Sequence, residues 1–315
     1  MNDTVLVLSL ASAVVAGTPI LLAGLGEIIA ERSGIMNLGV EGMMLMGAVV
    51  GFWCGVHTGS LTLSLIVGGL AGAALSLVHA VLAITLRVDQ TVSGLSLVIV
   101  GGGLSAYVGA AGDTSLLERA NGVEVNSLLP TFMSDLPVVG PIIFGHDAVV
   151  YVTVILVAVA SGVMYRSSAG LSLRAVGEDP AAADAAGLKV VRIRYLATAI
   201  GGFGAGMGGA YLVLAVLGTW QTGLTAGAGW IAVALVIVAG WRPWLALIGA
   251  FVFGVLRGLG FTLQIAQVDI PSDFLTMIPF VAAYLVVVAI SASPTRARRV
   301  AAPAALGRPY DREQR

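Results

Sequence analysis

A chain that repeatedly commits about 20 consecutive apolar residues has lipid as its solvent, because a helix of that length crosses the hydrocarbon core of a bilayer. Such segments recur along this sequence, at approximately 5–25, 35–56, 61–86, 91–111, 148–164, 195–217, 226–240, 245–263 and 274–290. Lipid offers no hydrogen-bond partner to a backbone N–H or C=O, so each span must satisfy its own backbone. The expected fold is all-α: a polytopic bundle of about nine transmembrane helices, within a range of eight to ten. The seventh segment is short and flanked by glycine, and 26–42 is irregular enough to hold a re-entrant piece.

Composition supports this and removes other classes. Hydrophobic residues make up 58% of the chain and charged residues 10%, whereas a soluble domain carries about 25% charged residues. The 42 glycines are about twice ordinary usage, as suits helices that pack closely in a membrane. A net charge of −1 gives no reason to expect nucleic acid. Cys54, the single cysteine, excludes an intrachain disulfide. The first residues lack the basic region of a cleavable signal peptide, so 5–25 reads as a retained first helix.

Arginine and lysine decide orientation, since cytoplasmic loops collect them. With the N-terminus outside and the C-terminus cytoplasmic, Arg32, Arg87, Arg166, Arg174, Lys189, Arg192, Arg194, Arg242 and the arginines of the tail lie inside. Asp3, Asp113, Glu118, Glu124, Asp135, Asp147, Asp269 and Asp273 lie outside; Arg119 and the intramembrane Arg257 are the exceptions. The membrane-spanning body is 1–293, interrupted by an external loop, 112–147, and a cytoplasmic loop, 165–194. The segment 294–315, with prolines among arginines, reads as a disordered cytoplasmic tail.

The cytoplasmic loop carries the clearest local signal. Asp179 is a good N-cap, Pro180 suits the first helical position, the alanines that follow favour the interior, and Gly187 suits a left-handed terminator. The spacing predicts a helix of about two turns. So short a helix is marginal in water, so the segment is either an ordinary solvated connection or a helix that docks against a second protein in the cytoplasm.

Three motifs resemble the permease subunits of ABC importers of the branched-chain amino acid, ribose and nucleoside group. They are Glu31-Arg-Ser-Gly-Ile-Met-Asn37-Leu-Gly-Val-Glu41-Gly-Met-Met, Arg174-Ala-Val-Gly-Glu-Asp-Pro-Ala-Ala-Ala-Asp-Ala-Ala-Gly187, and Gly227-Ala-Gly-Trp230-Ile-Ala-Val-Ala. The first looks most like the nucleoside and simple-sugar branch. The resemblance implies that the Gly177 to Gly187 segment is a coupling helix seated on a separate ATP-hydrolysing subunit, with Arg174, Gly177, Glu178, Asp179, Pro180 and Gly187 as its coupling residues. It departs from the better-known EAA motif, so contacts of that motif do not carry over. The resemblance further implies a second, different permease subunit, an external solute-binding protein, and residence in the bacterial cell membrane. ATP and Mg²⁺ would sit on the partner, since Lys189, the only lysine, lies in no phosphate-binding loop.

Several polar residues fall within spans. Asn37 and Glu41, spaced i, i+4, would share a helix face, with Glu41 roughly 9 Å inside the inner end. They form either a translocation-path or gating pair or a structural contact to a neighbouring helix. Arg257 either pairs with a carboxylate, Glu41 being the obvious one, or extends to the interface. Gln90 and Ser93 open the fourth span and either line the path or bond adjacent helices. Trp230 either stacks on a solute or belongs to an interfacial aromatic belt. Glu31 and Arg32 lie at the boundary and read as an interfacial or coupling feature. The histidines show no metal-ligand spacing, and no nucleophile constellation stands out.

The function expected is that of a permease subunit moving a nucleoside, or alternatively a simple sugar, with no ATPase site of its own. An ion-coupled secondary transporter using Glu41 is the competing class.

Overall fold

The computed structural model describes residues 3–111, 115, 116, 119, 120, 122–265, 271–292 and 301–311. Helices dominate: α1 (Asp3–Arg32), α2 (Val40–Thr58), α3 (Leu61–Ala80), α4 (Gln90–Ala110), α5 (Thr131–Ser134), α6 (Ala148–Arg166), α7 (Ser168–Glu178), α8 (Pro180–Ala185), α9 (Val190–Tyr211), α10 (Ala228–Val238), α11 (Pro243–Ile265) and α12 (Ser272–Ser291). Wider π turns extend α3 through Val81–Thr85 and α9 through Leu212–Leu217. Among the described residues six helices are long and apolar enough to cross a membrane, and Ala228–Val238, Pro243–Gly258 and Met277–Ala289 form shorter apolar segments.

Local chemistry sets the boundaries. Ser60 caps α3 through Leu63 N–H, Asp89 caps α4 through Val92 N–H, and Asp147 caps α6 through Val149 N–H, each satisfying a donor that the first turn leaves orphaned. Gly59, at φ 64°, ends α2 and returns its N–H to Gly55 O, the left-handed stop that glycine adopts without steric cost.

Helix α9 is the axis of the bundle. Its glycines let three neighbours reach its backbone: a methyl at Gly209 would strike the Met44 carbonyl of α2, one at Gly206 the Gly68 carbonyl of α3, and one at Gly208 the Pro19 carbonyl of α1. Association in lipid depends on such close contact. On the far side of α1 lie α10 and α11, and an apolar core running from Ile20 and Met43 to Leu235 and Phe253 joins the two halves.

Both interrupting loops hold more structure than sequence suggests. The 165–194 loop is mostly helical, with an 11-residue helix, α7, ahead of α8. In the 112–147 segment α5 and a π turn at Gly140–Phe144 lie between the two partners of an antiparallel bridge, Ser127 and Asp147. Asp147 also accepts a 2.6 Å bond from the Tyr211 hydroxyl, which ties the start of α6 to α9.

The tail departs from expectation too. Composition suggested a disordered end over 294–315, yet residues 301–311 have defined partners. Ala305 N–H donates to Gly177 O, Gly307 N–H to Gly34 O, and Arg87 pairs with Asp311 at 2.6 Å. Residues 294–300 and 312–315 lie outside the described residues.

Candidate functional site

The site is the seven-residue turn between α1 and α2 together with the short helix α10 that it grips. Helix α1 runs on past the predicted end at residue 25 as far as Arg32, so Glu27, Glu31 and Arg32 belong to it. Residues 33–39 then leave helical geometry and run back beside α1. Asn37 is fully buried; its N–H and its side-chain amide donate to Glu27 Oε1 and Oε2, both at 3.2 Å. Its Oδ1 accepts Gly39 N–H at 3.1 Å, which turns the chain into α2.

A second polar set holds the turn from the opposite side. Met36 N–H donates to Gln90 Oε1 at 2.7 Å, His79 Nε2 lies 3.0 Å from Met36 O, and His79 Nδ1 lies 3.0 Å from Ser93 Oγ. Every backbone group of Met36 thereby finds a partner without water, as a buried irregular segment requires. Arg194 of α9, fully buried, donates to Ser33 O at 3.2 Å.

Helix α10 is held at both of its ends. Its eleven residues span about 16 Å, roughly half of a 30 Å bilayer core, so it is too short to cross one from its N-terminus. There Glu41 Oε1 accepts bonds from Thr225 Oγ1 (2.6 Å) and Gly227 N–H (3.0 Å), and Oε2 accepts Gly229 N–H (2.7 Å). A carboxylate here satisfies orphaned donors and faces the positive end of the helix dipole. At the other end Arg32 donates to the carbonyls of Trp241 (3.3 Å) and Gly240 (3.4 Å), and Trp241 Nε1–H donates to Glu31. A single sequence motif therefore supplies both caps of one half-span helix. Preceding α10, the chain from Gly218 to Gly227 is non-helical, with Gln221 and Thr222 exposed.

This placement revises several expectations. Asn37 and Glu41 do not share a helix face: Asn37 precedes the start of α2 and serves Glu27, whereas Glu41 serves α10. Glu41 carries the structural contact to a neighbouring helix. Arg257 lies within electrostatic reach of Glu41, but Glu41 spends its oxygens on α10, and Arg87–Asp311 is the ion pair found among the described residues. Arg257 Nη1 has no hydrogen-bond partner. Gln90 and Ser93, each 2% exposed, are spent on Met36 and His79. Trp230 sits half-buried on the first turn of α10. Glu31 and Arg32, at the end of α1, both bond to the Gly240–Trp241 turn that follows α10. A cavity of about 620 Å³ between α1, α6, α7 and α9 is lined by apolar side chains and includes none of these polar groups.

The α7–α8 elbow follows its sequence closely. Asp179 Oδ1 accepts Ala181 N–H (3.0 Å) and Ala182 N–H (2.9 Å), Pro180 opens α8, and Gly187 takes φ 88°. Val176, Ala183 and Val190 bury one face; Ala181, Ala182, Ala185 and Ala186 are left exposed. Gly177 presses on the Arg32 carbonyl so closely that a methyl would overlap it. Glu178 accepts Ala304 N–H at 3.2 Å. Arg174 turns away and stacks over the Tyr165 ring, 5.4 Å from its centroid.

Glu27, His79, Arg194, Thr225 and Trp241 were not among the sequence candidates. Glu27 carried a usable signal, being a charge inside an apolar run one helical turn before Glu31. The others bind through tertiary neighbours that spacing does not reveal.

Comparison with known proteins agrees with this architecture. The family model described as branched-chain amino acid transport system / permease component matches residues 9–289. The chain is 45% identical over 246 residues to a putative glucose ABC transporter permease protein of Haloferax volcanii, covering 78% of this chain and 74% of that one. It is 31% identical over 331 residues to a guanosine ABC transporter permease protein of Bacillus subtilis, covering 99% and 100%. Among solved structures, an inward-facing putative metal-chelate type ABC transporter shares the fold, with TM-score 0.50, 15% identity, and 89% and 85% of the two chains covered. The chain belongs to the branched-chain amino acid transport permease family and is a multi-pass, membrane-spanning permease subunit of an ABC importer, whose ATPase is a separate subunit.

Proposed function

We propose that this permease imports a nucleoside, and that energy enters through α8. The observation that carries the coupling part is the contact of Gly177 with the Arg32 carbonyl. Through it the α7–α8 elbow bears directly on the residue that holds the C-terminal end of α10. Displacing α8 would push on Arg32 and, through it, on a short helix whose other end stands at mid-depth beside the non-helical Gly218 to Gly227 stretch. A half-helix ending at mid-membrane is where transporters commonly meet their solutes.

In this reading the basic end, with Arg32, Arg87, Arg166 and α8, faces the cytoplasm, as the distribution of arginine supports. The exposed alanines of α8 offer a small, smooth knob for a cleft in the ATP-binding subunit, which would hold ATP and Mg²⁺. Arg257, with a nitrogen unbonded near Glu41, and Trp230 are the side chains left to meet a solute. Gln90, Ser93, Asn37 and Glu41 act by shaping the frame. A second, different permease and an external binding protein would complete the importer.

End-to-end collinearity with the guanosine permease supports the nucleoside reading. The higher identity to the glucose permease favours a sugar as the second. Labelled guanosine and glucose, offered to the binding protein of this system and then to the reconstituted complex, separate the two. Saturable guanosine uptake supports the first; glucose uptake with no guanosine uptake rejects it.

A further inference from the structure

We infer that residues 301–311 form a transmission strap that positions the α7–α8 elbow against the α1–α2 turn, so that force at α8 reaches α10. The inference rests on the coupling role proposed above for α8.

The strap crosses every piece of that junction. Ala305 N–H donates to Gly177 O at 2.9 Å, and Ala304 N–H donates to Glu178 Oε2 at 3.2 Å, so two consecutive amides hold the last turn of α7. Two residues on, Gly307 N–H donates to Gly34 O at 3.2 Å, in the α1–α2 turn. Arg194 of α9 reaches from Ser33 O to Arg308 O, the latter at 3.5 Å. Tyr310 packs on the cluster of Val176, Ala183 and Val190 beneath α8, and Arg87–Asp311 pins the end to the chain leaving α3. Pro303 and Ala305 are buried.

The mechanical need for such a strap follows from the elbow itself. Gly177 meets Arg32 through backbone packing, which resists compression and offers little against separation. An outward pull on α8 would open that contact unless something bonds both sides. The strap bonds both sides: Gly177 and Glu178 on one, Gly34 and, through Arg194, Ser33 on the other. A closed turn over Pro303–Arg308, with Leu306 N–H to Pro303 O (3.0 Å) and Arg308 N–H to Ala305 O (3.1 Å), gives it stiffness.

The test is the solute moved per ATP hydrolysed by the assembled complex in proteoliposomes. The variants are a chain ending at Val300, Tyr310→Ala in the full chain, and Gly177→Val as the reference for the elbow. The strap predicts that both tail variants lower the ratio about fivefold or more, the lower end of ordinary site-to-site coupling, while ATP hydrolysis and the amount of assembled complex persist. If the shortened chain fails to assemble, Tyr310→Ala decides. Wild-type ratios in the tail variants beside an uncoupled Gly177→Val overturn the strap and leave the elbow standing. A wild-type ratio in Gly177→Val overturns the elbow reading itself.

Discussion

Gly229 N–H donates to Glu41 Oε2 at 2.7 Å, so a carboxylate that looks from sequence like an isolated intramembrane charge is the cap of a helix 188 residues further along. With Gly227 N–H and Thr225 Oγ1 on Oε1, the carboxylate is fully engaged.

The first prediction follows from that count. Glu41→Gln keeps the shape but replaces one accepting oxygen with a donor that faces an N–H or a hydroxyl, and Glu41→Ala leaves three donors bare. Each unsatisfied buried group costs about 1–3 kcal/mol. Thermal unfolding in detergent should rank wild type above Gln above Ala, with ATP-driven uptake strongly reduced in both. Glutamine with wild-type stability and uptake would remove the capping role.

The opposite cap makes a parallel case. Arg32→Lys keeps a positive charge near the end of α10 but loses the fork that reaches two carbonyls. Uptake should fall in Arg32→Lys and more so in Arg32→Ala. Trp241→Phe, which deletes the donor to Glu31 while keeping the ring, should cost about 1–3 kcal/mol by leaving a buried acceptor unpaired. Unchanged unfolding temperature in Trp241→Phe would contradict it.

Close packing on α9 gives the third. Gly209→Leu should abolish accumulation of folded protein, because the side chain has to occupy the Met44 carbonyl; overpacking of this kind typically costs about 1–3 kcal/mol and occasionally more. Gly103, which has open space at its α-carbon, provides the control, and Gly103→Ala should accumulate as wild type. Equal yields of the two variants in membranes would refute the packing account.

The cap of α8 supplies the fourth. Asp179→Ala removes an acceptor serving two amides, at a cost of about 1 kcal/mol locally. It should lower uptake per ATP hydrolysed with little change in global stability, and Asp179→Ser should recover most of it. A loss equal in the two variants would argue against capping as the cause.

These residues also mark what sequence could convey. The α8 helix was legible to the residue, because N-cap, N1 proline and left-handed glycine are local chemistry read from neighbours in the chain. The membrane spans were legible because length and apolarity suffice. Helix α7 was not: its Ser167 cap and 11 residues resemble a polar loop until α6 and α9 provide a face. Partners were least legible. Glu41 had Arg257 as its natural counterpart on charge alone, yet it found three neutral donors at a helix terminus. In lipid an exposed N–H itself costs several kcal/mol, and such donors are invisible in composition. Gln90 and Ser93 left two readings open for a related reason, since a polar side chain facing a path and one facing an irregular buried turn have the same spacing. The tail looked disordered because its prolines and arginines carry no apolar period, but it is held by backbone amides, which no sequence pattern encodes.

The central claim is that this chain is the passive membrane half of an ATP-driven importer, with force entering at α8 and passing through Gly177 and Arg32 to α10. Its most direct test is uptake of labelled guanosine by proteoliposomes holding this chain, its companion permease and the ATPase, with the binding protein on the solute side and ATP on the ATPase side. The account predicts uptake that requires ATP and is lost in Gly177→Val although the ATPase subunit stays bound. Uptake by the isolated chain driven by an ion gradient, with no ATPase present, would contradict it.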